Sequence, residues 1–271
     1  MKVVLFCGGL GMRLREYDHS TPKPMVPLGY RPILWYIMKY YAHHGHKDFV
    51  LCLGYKANVV KQYFLNYDEG VSNDFVLSEG GRRRDLLSSD IDDWRITFAD
   101  TGLHANVGQR LVAASHYLEG EDIFLASYGD GLTDAPLHDL IEDFRRRDAV
   151  AAFMSVQPTY SFHFVTHEDD GLVTSIQDVK ESNIRINGGY FLLRKEIFDY
   201  IGDGEELVEQ PFQRLVKERL LLGYRYDGFW AAMDTLRDRE LLEAMVETGR
   251  PPWAVWLPAL TSAGQASERR A

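Results

Sequence analysis

Short apolar runs that alternate with helical patterns constrain this chain more than any other feature. "KVVLF" (2–6), "DFVLCL" (48–53), "DIFLAS" (122–127) and "AVAAFMSV" (149–156) are of the kind that strands buried on both faces produce. Between and beside them lie segments of helical spacing at 32–45, 56–67, 107–118 and 135–147. Strand, helix, strand in this order requires crossover connections, so the chain reads as α/β with a mostly parallel, doubly covered sheet. Ligands of such sheets sit beyond the carboxyl ends of the strands. Residues 160–193 break the rhythm. They are strand-like with a turn at Asp170 and Gly171, and are expected to form a small antiparallel lobe closing over the sheet. Helical patterns return at 195–201, 209–223 and 235–249, and no Pro, Gly or Ser-rich linker divides the chain. One domain over 1–256 is expected, followed by a small polar tail (257–271) that reads as disordered.

The formal charge of −10 argues against a nucleic-acid partner held through phosphates. The arginine triplets 82–84 and 145–147 sit among acids and read as solvated faces. Cys7 and Cys52 each lie at the end of an apolar run, which fits buried reduced thiols better than a disulfide. The first residues lack the order of a signal peptide, and no run approaches the roughly 18 apolar residues of a membrane span. A cytoplasmic protein without a membrane partner is expected.

Directly after the first apolar run come Gly8, Gly9 and Gly11, then Arg13 and Lys23. Glycines at a strand end let backbone N–H groups approach a phosphate, and a guanidinium and an ammonium add charge-assisted contacts. A plain turn explains the glycines equally well. The spacing is neither a dinucleotide fingerprint nor a Walker loop. Asp130, between Gly129 and Gly131 after an apolar strand, suits hard Mg²⁺, which takes one or two carboxylates plus phosphate oxygens. A turn aspartate is the alternative.

"GGLGMRL" followed by "TPKPMVPLG" resembles the signature of the sugar-1-phosphate nucleotidyltransferases, the nucleotide-sugar pyrophosphorylases. The similarity continues in order through "RPILWYIMKYY", "DTG" with "GQRL", "YGDG", "INGGYFLL", "GFWAAMDTLRD" and "PPWAVW", covering nearly residues 1–256. Within the family, the set is most similar to the glucose-1-phosphate cytidylyltransferases. The resemblance implies a Rossmann-like sheet of the nucleotide-diphospho-sugar transferase type, with 160–193 as its sugar-binding lobe. The implied reaction has a sugar 1-phosphate oxygen attack the α-phosphate of a nucleoside triphosphate, CTP by preference, with Mg²⁺ as cofactor and pyrophosphate leaving.

Carried onto this chain, the resemblance gives Gly8, Gly9, Gly11, Met12, Arg110 and Gly129 to the nucleotide. Arg13 falls to the β- and γ-phosphates, and Lys23 to the α-phosphate. Asp130 and Asp234 become the metal carboxylates. Asp178, Lys180, Asn187 and Gly188 fall to the sugar phosphate. Arg110 stands where the cytidylyltransferases read the base, with a surface ion pair to Glu119 or Glu121 as its alternative. Asp234 has the alternative of capping the helix that starts at Thr235.

Two departures stand out. Met12 replaces the usual threonine, and "QDVKES" has Val179 where the family's lysine belongs, with Lys180 one residue late. The nucleotide half of the reaction is then intact and the acceptor open, so another nucleotide or a cyclitol or modified-sugar phosphate remains in play, as does a non-catalytic nucleotide-sugar-binding subunit. A homo-oligomer is expected. The histidines of "HHGH" (43–46) sit at a helix end, where the dipole favours imidazolium over a metal site. Tyr40, Tyr41, Tyr63, Phe64 and Tyr67 repeat at helical spacing and read as core or subunit interface.

Overall fold

The computed structural model describes residues 1–9, 21–159, 162–179 and 182–258. Its centre is an eight-stranded sheet. Lys2–Phe6 lies between Asp48–Leu53 and Ile123–Tyr128, both parallel to it, and Arg95–Asp100 extends the sheet beyond Asp48–Leu53 in the same direction. On the other side Phe191–Arg194 runs antiparallel between Ile123–Tyr128 and Ala151–Val156. Leu221–Arg225 pairs parallel with Ala151–Val156.

The first strand explains why its sequence is apolar from Val3 to Phe6. Val3 and Leu5 join the core on one face, with helices Ile33–His43 and Leu137–Arg146. Val4 and Phe6 join the core on the other, with Val107–Ala114 and Gln210–Glu218. Successive strand residues point to opposite faces, so a strand covered on both sides has no polar position. Tyr40 and Tyr41 are buried in this core, as their helical spacing requires, and Cys7 and Cys52 are buried free thiols.

Three elements depart from the sequence reading. The antiparallel excursion is shorter than 160–193: only the hairpin His163–His167 with Val173–Asp178 stands apart as its own two-stranded sheet. Ile186–Asn187 and Phe191–Arg194 instead enter the central sheet, and pair with Ala151–Val156 in registers that differ by two residues. The slack is taken up at Gly189 (φ +74°) and Tyr190 (φ +52°), a bulge that no isolated lobe needs. The helical pattern at 209–223 holds only for Gln210–Glu218, because its last residues form the strand Leu221–Arg225. Finally, 195–201 is a 3₁₀ turn, Lys195–Tyr200, rather than an α-helix. Among the described residues, no helix is long and apolar enough to cross a membrane. The tail beyond residue 258 lies outside the described residues.

Candidate active site

The site is assembled at the carboxyl ends of the parallel strands. Lys2–Phe6 delivers Cys7, Gly8 and Gly9, with Gly8 buried and Gly9 exposed. Beneath Gly8 lies Arg110, only 3% exposed although it is on a helix. Its Nη2 donates to the Gly8 carbonyl at 2.9 Å, and its Nη1 donates to the Leu53 carbonyl (3.2 Å), the Thr101 hydroxyl (2.8 Å) and the Gly102 carbonyl (2.9 Å). One guanidinium thereby ties together the ends of three neighbouring strands. A Cβ on Gly8 would lie 2.1 Å from Arg110 Nη1, so this glycine is required by the arginine below it as well as by any ligand above it. The surface ion pair with Glu119 or Glu121 is absent, since Arg110 points inward at backbone carbonyls, the acceptors a buried cation needs. Burial also holds the Arg110 guanidinium below its ordinary pKa and pushes the nearby Cys52 thiol up to about 12, so that thiol is no nucleophile at neutral pH.

Lys23 opens a three-residue turn, Lys23–Met25, between Pro22 and Pro24. Its ammonium donates to Asp130 Oδ2 at 2.5 Å and to Asp234 Oδ1 at 2.7 Å. Burial alone would lower the lysine's pKa, but the two carboxylates outweigh it and raise the pKa above the ordinary value. Three residues nominated from distant parts of the sequence thus meet at one point. Asp130 follows Ile123–Tyr128 and precedes the short strand Gly131–Thr133, which pairs antiparallel with Trp230–Ala232. Met233 N donates to Asp130 O at 2.9 Å and extends that ladder by one step, which sets Asp234 beside Asp130. Asp234 does not cap the following helix. Thr235 does, in a capping box with Asp238, and the Asp234 carboxylate meets Lys23 instead.

Two carboxylates drawn to one ammonium form a donor set that hard cations accept, so the residues fit a divalent ion. Among the described residues no group of three or more His, Cys, Asp or Glu side chains could hold a metal. A Mg²⁺ ion does not need one when phosphate oxygens complete its shell. The histidines at 43–46 are not such a group. Burial lowers the pKa of both His44 and His46 to about 4, so the two imidazoles are neutral and do not act as dipole-stabilised cations.

Asn187 ends the short strand Ile186–Asn187, and Gly188 follows it. Asn187 Nδ2 reaches Tyr128 Oη at 3.5 Å, and Gly188 O accepts from Trp230 Nε1 at 2.9 Å. Three aromatic residues not foreseen in these roles complete the frame. Tyr190 Oη donates to Gly131 O at 2.8 Å, next to Asp130, and Tyr128 packs its ring 3.0 Å from where a Gly189 Cβ would be. Trp230 anchors Gly188 through that bond. Only the "GGYF" repeat of small and aromatic residues could have signalled the tyrosine. Asp178 pairs with His163 at the open end of the exposed hairpin, while Val179 is buried at 1% exposure. Gly11, Met12, Arg13 and Lys180 lie outside the described residues.

The sequence pattern of the Nucleotidyl transferase family matches residues 2–231. The chain belongs to that family. This nucleotidyl transferase is 37% identical over 258 residues to the glucose-1-phosphate cytidylyltransferase of Salmonella typhi, an alignment covering 94% of this chain and 100% of the relative. The enzyme of the same name from Salmonella typhimurium (strain LT2) matches with the same identity and coverage. Among solved structures, HddC from Yersinia pseudotuberculosis superposes with a TM-score of 0.60 at 20% identity, covering 90% of this chain and 98% of HddC. At that identity the likeness concerns the fold, and the fold agrees with the α/β, mostly parallel reading.

Proposed function

We propose that this nucleotidyl transferase moves a cytidylyl group from CTP to a hexose 1-phosphate, giving a CDP-sugar and pyrophosphate. The observation that carries the reading is the convergence of Lys23, Asp130 and Asp234 beyond the strand ends, beside the Gly8 loop. A phosphate monoester has its second pKa near 6, so the attacking oxygen is already ionised at neutral pH and no general base is required. The site therefore has to position two anions and neutralise charge on the leaving pyrophosphate.

In this reading the backbone at Gly8 and Gly9, with Gly129 opposite, cradles the nucleotide. Lys23 contacts the α-phosphate, and Arg13 the β- and γ-phosphates. Arg110, named from the resemblance as the reader of the base, is buried with its guanidinium engaged by protein oxygens, so it acts on the nucleotide indirectly, by fixing the Gly8 loop from below. Asp130 and Asp234 hold Mg²⁺, which when bound neutralises charge on the triphosphate and on departing pyrophosphate. Asn187 and Gly188 line the acceptor side, and Asp178 and Lys180 are assigned to the sugar phosphate. A cleft of about 390 Å³, bounded by Val156, Gln157, Tyr226 and Trp230, adjoins Gly188 and is of small-molecule size. The enzyme works in the cytoplasm and as a homo-oligomer. Self-association is supported by the exposed apolar residues Phe75, Val76 and Leu77 on one hairpin and Val165 and Ile176 on another.

Pyrophosphate release measured across the four common nucleoside triphosphates and a panel of sugar and cyclitol 1-phosphates tests the reading. CTP with glucose 1-phosphate should be fastest. Faster release with another nucleotide or acceptor would overturn the corresponding half of the assignment, and no release with any pair would favour a non-catalytic binding subunit.

A further inference from the structure

We propose that Lys23 is a resident counter-cation, which keeps a divalent ion from binding firmly at Asp130 and Asp234 until the phosphates of the nucleotide draw the ammonium away. Metal and nucleotide then enter together and not in random order. The inference rests on the reading that these two carboxylates hold the metal, and goes beyond it by assigning the order of binding.

The Lys23 ammonium lies 2.5 Å from one carboxylate oxygen and 2.7 Å from the other. A Mg²⁺ ion on the same pair would need oxygen contacts of about 2.0–2.1 Å and would sit against the ammonium, so the two cations compete for one locus. Charge leads to the same result. With Lys23 in place an incoming ion meets a net charge of −1 on the three groups, and without it a net charge of −2. The exchange needs no backbone change. Pro22 and Pro24 fix the chain on both sides of Lys23, Pro24 and Met25 are buried, and Val26 N bonds back to Lys23 O at 3.2 Å. Only the four-carbon side chain has to swing, and a triphosphate offers its ammonium anionic oxygens in return.

The test uses Mn²⁺ as the probe and follows the free-ion signal by electron paramagnetic resonance, with the full chain and no nucleotide. Lys23→Met should bind one Mn²⁺ at least about tenfold more tightly than the parent, the size expected when a charge-assisted pair is removed. Lys23→Gln, which keeps a donor without the charge, should fall between them. Adding Asp130→Asn or Asp234→Asn to Lys23→Met should cancel the gain. Equal Mn²⁺ affinity in parent and Lys23→Met, with binding still lost in Asp130→Asn, would overturn the counter-cation role and leave the metal carboxylates standing. A gain that survives both aspartate changes would overturn the carboxylate reading itself. A second measurement needs only the parent protein. Acetylation of Lys23 by acetic anhydride, followed by mass spectrometry, should not speed up when Mn²⁺ is added alone. Faster labelling under Mn²⁺ alone would mean that the ion displaces the ammonium unaided, which overturns the proposal.

Discussion

Gly8→Ala tests whether the first glycine after the strand is required by the protein's own arginine. Gly8 has no positive φ, so alanine is compatible with its backbone, and the three atoms nearest to the new methyl all belong to Arg110: Nη1 at 2.1 Å, Cζ at 2.4 Å and Nη2 at 2.9 Å. The guanidinium has to move and give up its four acceptors. A hydrogen bond to a charged group is worth about 1.5–3 kcal/mol, so a naive sum runs to roughly 6–12 kcal/mol. The network reduces this. Leu53 O keeps the Thr101 N–H (3.0 Å) and hydroxyl (2.8 Å), and Gly8 O keeps the Tyr55 N–H (3.2 Å). Gly102 is exposed, so water can replace the guanidinium at its carbonyl. A cost of about 2–4 kcal/mol is therefore expected for Gly8→Ala in urea denaturation. In an Arg110→Ala background the obstacle is gone, and the same change should cost less than about 1 kcal/mol. The coupling would then be about 2–3 kcal/mol, well outside the few tenths by which independent sites deviate from additivity. Costs that add within about 0.5 kcal/mol would refute the claim that Gly8 is a glycine because of Arg110.

Other outcomes follow from the same geometry. Asp130→Asn and Asp234→Asn should each lower turnover on the order of a hundredfold or more, and EDTA should abolish activity; full turnover without a divalent ion would remove Mg²⁺ from the mechanism. Lys180→Ala should weaken sugar-phosphate use about ten- to a hundredfold while leaving the CTP KM unchanged, whereas Val179→Lys should lower the melting temperature without gaining activity, because Val179 is buried and an ammonium there would be unpaired. A Val179→Lys protein as stable as the parent would show that this side chain reaches solvent or a phosphate after all. His44 and His46 titrate near 4 in the folded protein, against the ordinary 6.5 when unfolded. The unfolded chain binds more protons in that window, so their contribution is complete above pH 6.5 and falls away as the pH drops towards 4. The loss should be smaller in His44→Gln/His46→Gln, and an identical pH profile would count against burial of the two imidazoles.

The strands that the sequence reading located best are those with both faces covered. Lys2–Phe6 and Asp48–Leu53 match their runs residue for residue, since every position after the leading Lys2 or Asp48 is buried and apolar. Arg95–Asp100 lies at the edge of the sheet and begins with exposed Arg95, so its mixed sequence carried no such signal. Leu221–Arg225 was hidden for a different reason. The helix before it ends at Arg219 in the left-handed conformation (φ 62°), a role usually marked by glycine, and without that mark "LLLG" reads as one more helical turn. The return of Ile186–Asn187 and Phe191–Arg194 to the central sheet depends on pairing with strands remote in sequence, and local pattern does not record such partners.

The meeting of Asp130 and Asp234 belongs to the same class of non-local fact, and it shows what fold and site owe each other. Neither residue type nor spacing brings positions 130 and 234 together; the resemblance nominated the second carboxylate, and the three-residue ladder of Gly131–Thr133 with Trp230–Ala232 accounts for it physically. That ladder is short, and two groups outside it hold its ends. Phe229 O accepts from the Thr133 hydroxyl at 2.8 Å, and Gly131 O accepts from buried Tyr190 at 2.8 Å. Tyr190 is positioned by the bulge that lets the antiparallel strand change register. The irregularity of the central sheet, a departure from the simple parallel reading, thus supports the strand that carries Asp130 to Lys23. Regular strands bring the glycine loop to the cleft, and an irregular one completes the charged cluster across from it.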